Sequence, residues 1–369
     1  MPTTQSKVRI GTRGSALALA QTALVSNAIE AASPGLTTEI VVVRTTADRA
    51  PSLPLSEIGD KALWVVDLEQ QLLSGDIDVA VHSMKDLPAD LPAGLVIGAV
   101  PERECPLDAL VLPAAFVSDD IALSNPGYAS DRDNEAFINE NLNALVSYGA
   151  RVGTSSDRRQ GQLLYWRPDL EVIPVRGNVD TRLRKLEEDE FDAIILAAAG
   201  LRRLRLEHRI TALFPAIQLV PAAGQGALAL EIRENDKRTS EIVRRIHHPG
   251  SAVGVMAERA FVRAVAGGCS VPLGVYTQLL PEYLEIYVRA VAPDPENGAE
   301  AIEESKMIPL PDRADLFTDL TWAEDLGRTV GAQFLTHGGA EFIERMRIST
   351  STRSMTSISS DSNEPAAHG

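Results

Sequence analysis

Apolar positions along this chain fall into two alternating rhythms. KVRIGT, Lys7 to Thr12, alternates polar and apolar positions and predicts a short strand. Ser15 to Ala32 is rich in Ala and Leu at helical spacing and is stopped by Ser33-Pro34-Gly35. EIVVVRTT, with the unbroken apolar run Ile40 to Val43, predicts a buried strand, LWVVDLEQQLLSG returns to helical spacing with a glycine stop at Gly75, and DIDVAVHS predicts the next strand. Alternation of this kind builds an α/β layer with a mostly parallel sheet. After a Ser/Asp/Asn-rich stretch it restarts with ARVGTSS, a helix from about Arg158, EVIPVRG, a helix through Thr181 to Leu186, and DAIILAAAG. A second α/β domain is the economical reading.

The two restarts echo each other: Arg9-Ile10-Gly11-Thr12 and Arg151-Val152-Gly153-Thr154 each close a strand and open a helix. Free backbone N–H groups at a helix start, with Arg13 beside one and Arg158 and Arg159 beside the other, make anion sites. Ligands of open α/β sheets sit at the carboxyl ends of strands, so two such domains face to face would enclose an arginine-lined cleft. Lys85 and Asp86 follow the strand ending at Ser83 and would project into it, although a Lys-Asp pair ahead of Pro88 also suits a surface turn. From about His248 the grammar changes. A helix over Ala252 to Ala266, a cysteine loop, the antiparallel runs EYLEIYVRAV and AIEESKMI, and a helix over Asp325 to Thr336 predict a small α+β domain. VPAAGQGALALEIR is a glycine-hinged return segment, and the serine-rich end is expected to be disordered.

Composition narrows the function. The net charge of -16 argues against nucleic acid, whose phosphates need a basic surface. No apolar run is long enough to span a membrane and the N-terminus lacks a signal-peptide core, so a cytoplasmic protein is expected. Cys105 and Cys269 are the only cysteines, too few for a disulfide framework. Cys105 reads as packing, whereas Cys269 sits between a glycine pair and a Ser-Val-Pro step.

HSMKDLP, VGTSSDRRQGQL, VRGNVDTRL, AAAGLRRL, AAGQGALALEIR and GGCSVPLG, in this order, resemble the porphobilinogen deaminase (hydroxymethylbilane synthase) family over roughly residues 7 to 346. The resemblance implies two domains like the type II periplasmic binding proteins and a small C-terminal α+β domain. It implies a transferase of haem biosynthesis that condenses four porphobilinogen molecules onto a covalent dipyrromethane cofactor, releasing ammonia, then hydrolyses off hydroxymethylbilane. Each porphobilinogen brings an acetate and a propionate, which suits an arginine lining. Carried over by position, Asp86 is the catalytic carboxylate, an anion expected to be buried among arginines. Cys269 anchors the cofactor, and Ser83, Lys85, Thr154, Ser155, Ser156, Arg158, Arg159 and Gln225 contact it. Arg13, Gln21, Lys61, Arg176 and Arg182 fall to the substrate. No metal is implied, and a monomer is.

Domain boundaries are expected at 1–114 with 222–246, 115–221 with an insertion at about 117–149, 247–346, and a tail at 347–369. Departures from the family pattern are Asp157 before the paired arginines, Val66 after Trp64, and Ala47 near Asp48. Two other classes stay open: a non-catalytic binding module for small polycarboxylates, and a cysteine hydrolase with His247 or His248 as base.

Overall fold

The computed structural model describes residues 6–43, 63–116, 144–265, 271–294, 298–311 and 319–346. β1 (Ser6–Thr12) leads into α1 (Ala16–Ala32), whose Ser15 hydroxyl caps the helix by accepting from the Ala18 backbone N–H at 3.3 Å. β2 (Leu36–Val42), α2 (Leu63–Ser74), β3 (Val79–Ser83) and β4 (Leu95–Ala99) follow. The middle of the chain forms β5 (Asp108–Val111), β6 (Arg151–Gly153), α3 (Asp157–Trp166), β7 (Glu171–Ile173), α4 (Val179–Glu187), β8 (Ala193–Ala197), α5 (Ala198–Arg203) and β9 (Ala212–Leu213). Last come β10 (Leu228–Arg233), α6 (Lys237–Arg244), α7 (Pro249–Ala264), β11 (Leu273–Leu279), β12 (Tyr283–Asp294), β13 (Gly298–Pro309) and α8 (Thr321–Phe334).

Two five-stranded sheets have matching layouts, β2-β1-β3-β10-β4 and β7-β6-β8-β5-β9. In each, three parallel strands are followed by one antiparallel strand that arrives from the other half of the chain: β10 lies between β3 and β4, and β5 between β8 and β9. These are two like-built α/β domains, as the restarted alternation predicts, and the antiparallel sheet β11-β12-β13 belongs to the small α+β domain. Because β5 belongs to the second sheet, the first crossing lies between Ala99 and Asp108, ahead of the boundary expected at 114.

β2 departs from expectation. It spans Leu36–Val42 and is an edge strand with Val42 half exposed, because β1 covers only one of its sides and no strand among the described residues pairs with the other. An apolar run alone does not distinguish a sheet's centre from its rim.

The third domain packs α7 and α8 on its sheet around Phe261, Phe334 and Phe342, with the first two rings edge to face at 5.7 Å. It grips both other domains. Glu258 of α7 is fully buried and accepts from both terminal nitrogens of Arg103, from the Gly224 N–H and from Thr277. On the other side α3 lies against β12, and Arg289 donates to the Gln218 carbonyl at 3.0 Å while its guanidinium sits over Trp166. His247 accepts from the Val100 N–H and His248 caps α7, so the Nδ1 of each imidazole weighed as a hydrolase base holds backbone.

Candidate active site

The first domain brings the end of β3 to the cleft. Met84, Lys85 and Asp86 form one turn of 3-10 helix directly after Ser83, whose hydroxyl meets the Gln21 amide of α1 at 2.9 Å. The turn can lie there because the return segment passes with no side chain in the way. Gly224 has φ +70, and a Cβ on it would come within 2.6 Å of Met84 Cγ and 3.3 Å of the Lys85 nitrogen. Lys85 is half-buried. Burial, with the Arg159 and Arg158 charges behind it, lowers its pKa to about 8 against the pull of Asp86 and Asp108. Asp86 itself is exposed at the mouth, not buried among arginines as expected, because it is the last residue of a turn that ends in the open cleft.

The second domain brings arginines. At the start of α3, Arg158 and Arg159 are both buried and both paired to one fully buried carboxylate, Asp108 at the head of β5, at 2.8 and 2.7 Å. Burial alone would raise the Asp108 pKa. The two guanidinium charges and their hydrogen bonds outweigh it and hold the carboxyl well below the usual range. Arg158 also donates to the Val220 carbonyl at 2.7 Å, and Arg159 to the Ile195 carbonyl at 3.0 Å. The pair carries two positive charges against one negative, so a net positive charge remains at the helix start.

The cleft between the domains has a volume of about 510 Å³, within the range of small-ligand sites. Arg13, Gln21, Ser83, Lys85, Asp86, Arg159 and Arg182 line it, so seven of the expected site residues meet there. Arg182 donates to the Gly177 carbonyl at 2.8 Å, and burial followed by the Arg159 charge lowers its pKa. Five cationic side chains, counting Arg203, face two anionic ones, Asp86 and Asp180.

Other expected site residues stand elsewhere. Arg158 is turned to Val220 and Asp108, and exposed Arg176 precedes Gly177 and Asn178, which do line the cleft. Gln225 is buried and donates to the Pro106 carbonyl and to Asp108, so it braces the arginine counter-ion. The hydroxyls of the Thr154-Ser155-Ser156 turn meet backbone: Thr154 accepts from Ser156 N–H, Ser155 donates to the Val175 carbonyl, and Ser156 caps α3. Cys269 and Lys61 lie outside the described residues, as do Ala47 and Asp48.

Two residues were not singled out from sequence. Asp108 is one; its signal is a lone carboxylate heading the apolar run DALVL. Arg203 is the other. It lines the cleft, donates to the Gly226 carbonyl at 2.7 Å, and burial lowers its pKa to about 10 with Glu104 opposing. In sequence it is hard to separate from Arg202 and Arg205, which suit a solvated helix face.

Residues 8–241 match the family model described as "Porphobilinogen deaminase, dipyromethane cofactor binding domain", and residues 252–336 match "Porphobilinogen deaminase, C-terminal domain". The chain belongs to the porphobilinogen deaminase family. Membership brings the family's activity, hydroxymethylbilane synthesis, and its dipyrromethane cofactor. Curated porphobilinogen deaminases align along most of the chain. That of Syntrophotalea carbinolica is 43% identical over 83% of this chain and 88% of its own length. That of Syntrophobacter fumaroxidans is 40% identical over 93% and 99%, and that of Moorella thermoacetica 45% identical over 72% and 77%. Among solved structures, the substrate binding domain of a putative molybdenum ABC transporter from Clostridium difficile overlaps at 11% identity, with a TM-score of 0.39 over 67% of this chain and 94% of that one. That overlap is too loose to support fold or function.

Proposed function

We propose that Asp86 is the catalytic carboxylate of the hydroxymethylbilane synthase reaction and that Cys269 carries the dipyrromethane. The observation that carries the reading is an exposed carboxylate at the end of β3, in a cleft whose other charged liners are almost all cations. The lining fits the cofactor: pyrroles with acetate and propionate arms need many fixed positive charges, and Arg13, Lys85, Arg159, Arg182 and Arg203 supply them. When bound, dipyrromethane supplies the pyrrole end to which substrate is joined.

The residues divide the remaining work. The arginines, which stay charged even where burial lowers their pKa, hold substrate carboxylates in register and leave the pyrrole ring toward the β3 turn. Asp86 faces the positive charge that develops on the substrate pyrrole as ammonia leaves; a fixed anion stabilises that charge and accepts the proton lost when the new bond forms. Lys85 anchors a carboxylate arm beside it. Arg158, Gln225 and Asp108 act one layer back, setting the orientation of Arg159. Cytoplasmic location and a monomeric state complete the reading.

Holoenzyme carrying Asp86→Asn keeps its shape and cofactor but loses the anion. Its turnover of porphobilinogen should fall by at least about a hundredfold, the scale of a lost acid–base group, with KM little changed. Unchanged hydroxymethylbilane formation would show Asp86 to be a turn residue only. Intact mass should show the cofactor on the unmodified chain and on Cys105→Ala, and its loss from Cys269→Ala.

A further inference from the structure

The segment that follows the Lys85–Asp86 turn has little means of holding itself. LPADLPAG, Leu87 to Gly94, contains two prolines, which have no N–H to donate, and it runs from the turn to β4 without forming a strand or helix. Its carbonyls therefore need donors from elsewhere. The third domain supplies them. Arg259 of α7 is 5% exposed and donates to the carbonyls of Pro88 and Ala89 at 2.7 and 2.9 Å and, more weakly, to that of Leu87 at 3.4 Å. One helical turn on, Arg263 donates to the Ala89 carbonyl at 3.0 Å and to Asp90 at 2.9 Å.

The same guanidinium meets the turn at its other end. Nη1 of Arg259 lies 3.9 Å from the sulfur of Met84, the first residue of the turn, whose C-terminal cap is Leu87. Met84 is 1% exposed and packs against Gly224 of the return segment. The turn is thus held at its buried residue and again just past its last one, and Lys85 and Asp86, which lie between, line the cleft. A guanidinium suits this duty because its N–H donors, fixed in one plane, serve several carbonyls in set directions, whereas an ammonium is a single point. Arg259 does not itself line the cleft, so its route to the reaction is through the turn.

We propose that Arg259 is a positioning residue for the reaction: from the third domain it fixes the chain on both sides of Asp86 and so sets where that carboxylate stands against the substrate pyrrole. The proposal rests on the reading of Asp86 as catalytic. Its consequence is a split between rate and binding. A loosened turn misplaces Asp86 and lowers kcat, while Arg13, Arg159, Arg182 and Arg203 keep their hold on carboxylates and only Lys85 moves with the turn.

The test compares holoenzyme carrying Arg259→Gln, Asp86→Asn or both, with cofactor load checked by intact mass. Arg259→Gln should lower kcat by about ten- to a hundredfold, the scale of a catalytic group displaced by about 1 Å, and raise KM by no more than roughly twofold. On the Asp86→Asn background the same change should cost nothing further, because a carboxamide has no charge to misplace. Arg259→Lys, which keeps the charge and one point of donation, should recover part of kcat and serves if Arg259→Gln does not fold. Hydrogen exchange of residues 84–90, where the Leu87 N–H closes the turn on the Met84 carbonyl at 3.2 Å, should quicken in Arg259→Gln while β3 and α7 keep their protection. Unchanged kcat, unchanged exchange, a loss that multiplies in full with that of Asp86→Asn, or a loss carried by KM would each overturn the proposal. Normal turnover by Asp86→Asn alone would overturn the reading of Asp86 and with it the positioning role; quickened exchange in Arg259→Gln would then show that Arg259 still holds the turn, which separates the two failures.

Discussion

In the first domain Arg9, midway along β1, forms a two-point ion pair with Asp78, just ahead of β3; in the second, Arg151 at the start of β6 pairs in the same way with Asp192, just ahead of β8. Backbone contacts repeat as well, with the Arg9 N–H donating to Asp78 at 2.8 Å and the Arg151 N–H to Asp192 at 2.7 Å. A serine caps the next helix in each, Ser15 and Ser156. The four-residue echo in the sequence is therefore a structural equivalence. What differs is the residue set delivered past the third strand. β3 gives Lys85 and Asp86, a base beside a cation, while β8 gives small residues and then Arg203. One half is equipped for proton chemistry and the other for holding carboxylates, so a shared scaffold locates a site without fixing its chemistry.

The asymmetry is broken most severely at Asp108, a counter-ion with no counterpart among the described residues of the first domain. Asp108→Ala leaves two guanidinium groups buried with no anion, and losing one side of such a cluster costs about 3–5 kcal/mol. Urea unfolding should show that loss, with the slope against denaturant unchanged. Asp108→Asn keeps the volume and the Gln225 contact and should cost less. Equal stability for Asp108→Ala and the unmodified chain would mean that Arg158 and Arg159 find other partners.

Within the arginine half, the cleft geometry separates residues that the sequence treats alike. Arg182 lines the cleft and Arg176 is exposed outside its lining. Arg182→Leu should remove a charge-assisted contact worth roughly 1.5–3 kcal/mol and stall elongation, visible as one enzyme-bound intermediate accumulating in mass spectra. Arg176→Leu should show weaker accumulation. The reverse ranking would place Arg176 in the cleft when substrate is bound.

The α/β alternation, the caps of α1 and α3 and the α+β third domain are legible because each is written in local periodicity and stop signals. The exchange of β5 and β10 between sheets is not, since it pairs residues far apart in the chain: Asp108 faces Ala197, and Leu228 faces Ser83. Asp108 was lost for the same reason. A lone aspartate at the head of an apolar strand gains meaning only once that strand lies beside the start of α3. Lys85 and Asp86 were legible because they lie immediately after the strand that presents them.

Lys85 sharpens the comparison through pH. Its pKa near 8 is below the value of 10.5 for the free side chain, so in the folded chain its charged form is disfavoured. The unfolded state then holds more protons between these values. Stability of the cofactor-free chain should gain a contribution from Lys85 as pH rises from about 8 toward 10.5, while its hold on carboxylates weakens over the same range. KM for porphobilinogen should therefore rise above about pH 8, and Lys85→Arg, which stays charged, should flatten that rise. A KM with the same pH dependence in both would place the carboxylate grip on the arginines alone.

The smallest effects should come from the two scaffold pairs, and their ranking tests whether the equivalence extends to energetics. Asp78 is 10% exposed, is bonded to the Arg9 backbone and guanidinium, and also meets Arg233 at 3.3 Å. Asp192 is 47% exposed and, among the described residues, serves Arg151 alone. Asp78→Ala leaves partly buried donors unmet, a loss of roughly 1–3 kcal/mol. At the Arg151–Asp192 pair water can replace the lost carboxylate, so Asp192→Ala should lower the melting temperature by less, and added salt should narrow the difference between Asp192→Ala and the unmodified protein. Equal shifts for the two variants would mean that the repeated geometry sets the energy of each pair, and that the extra burial and the Arg233 contact of Asp78 add nothing measurable.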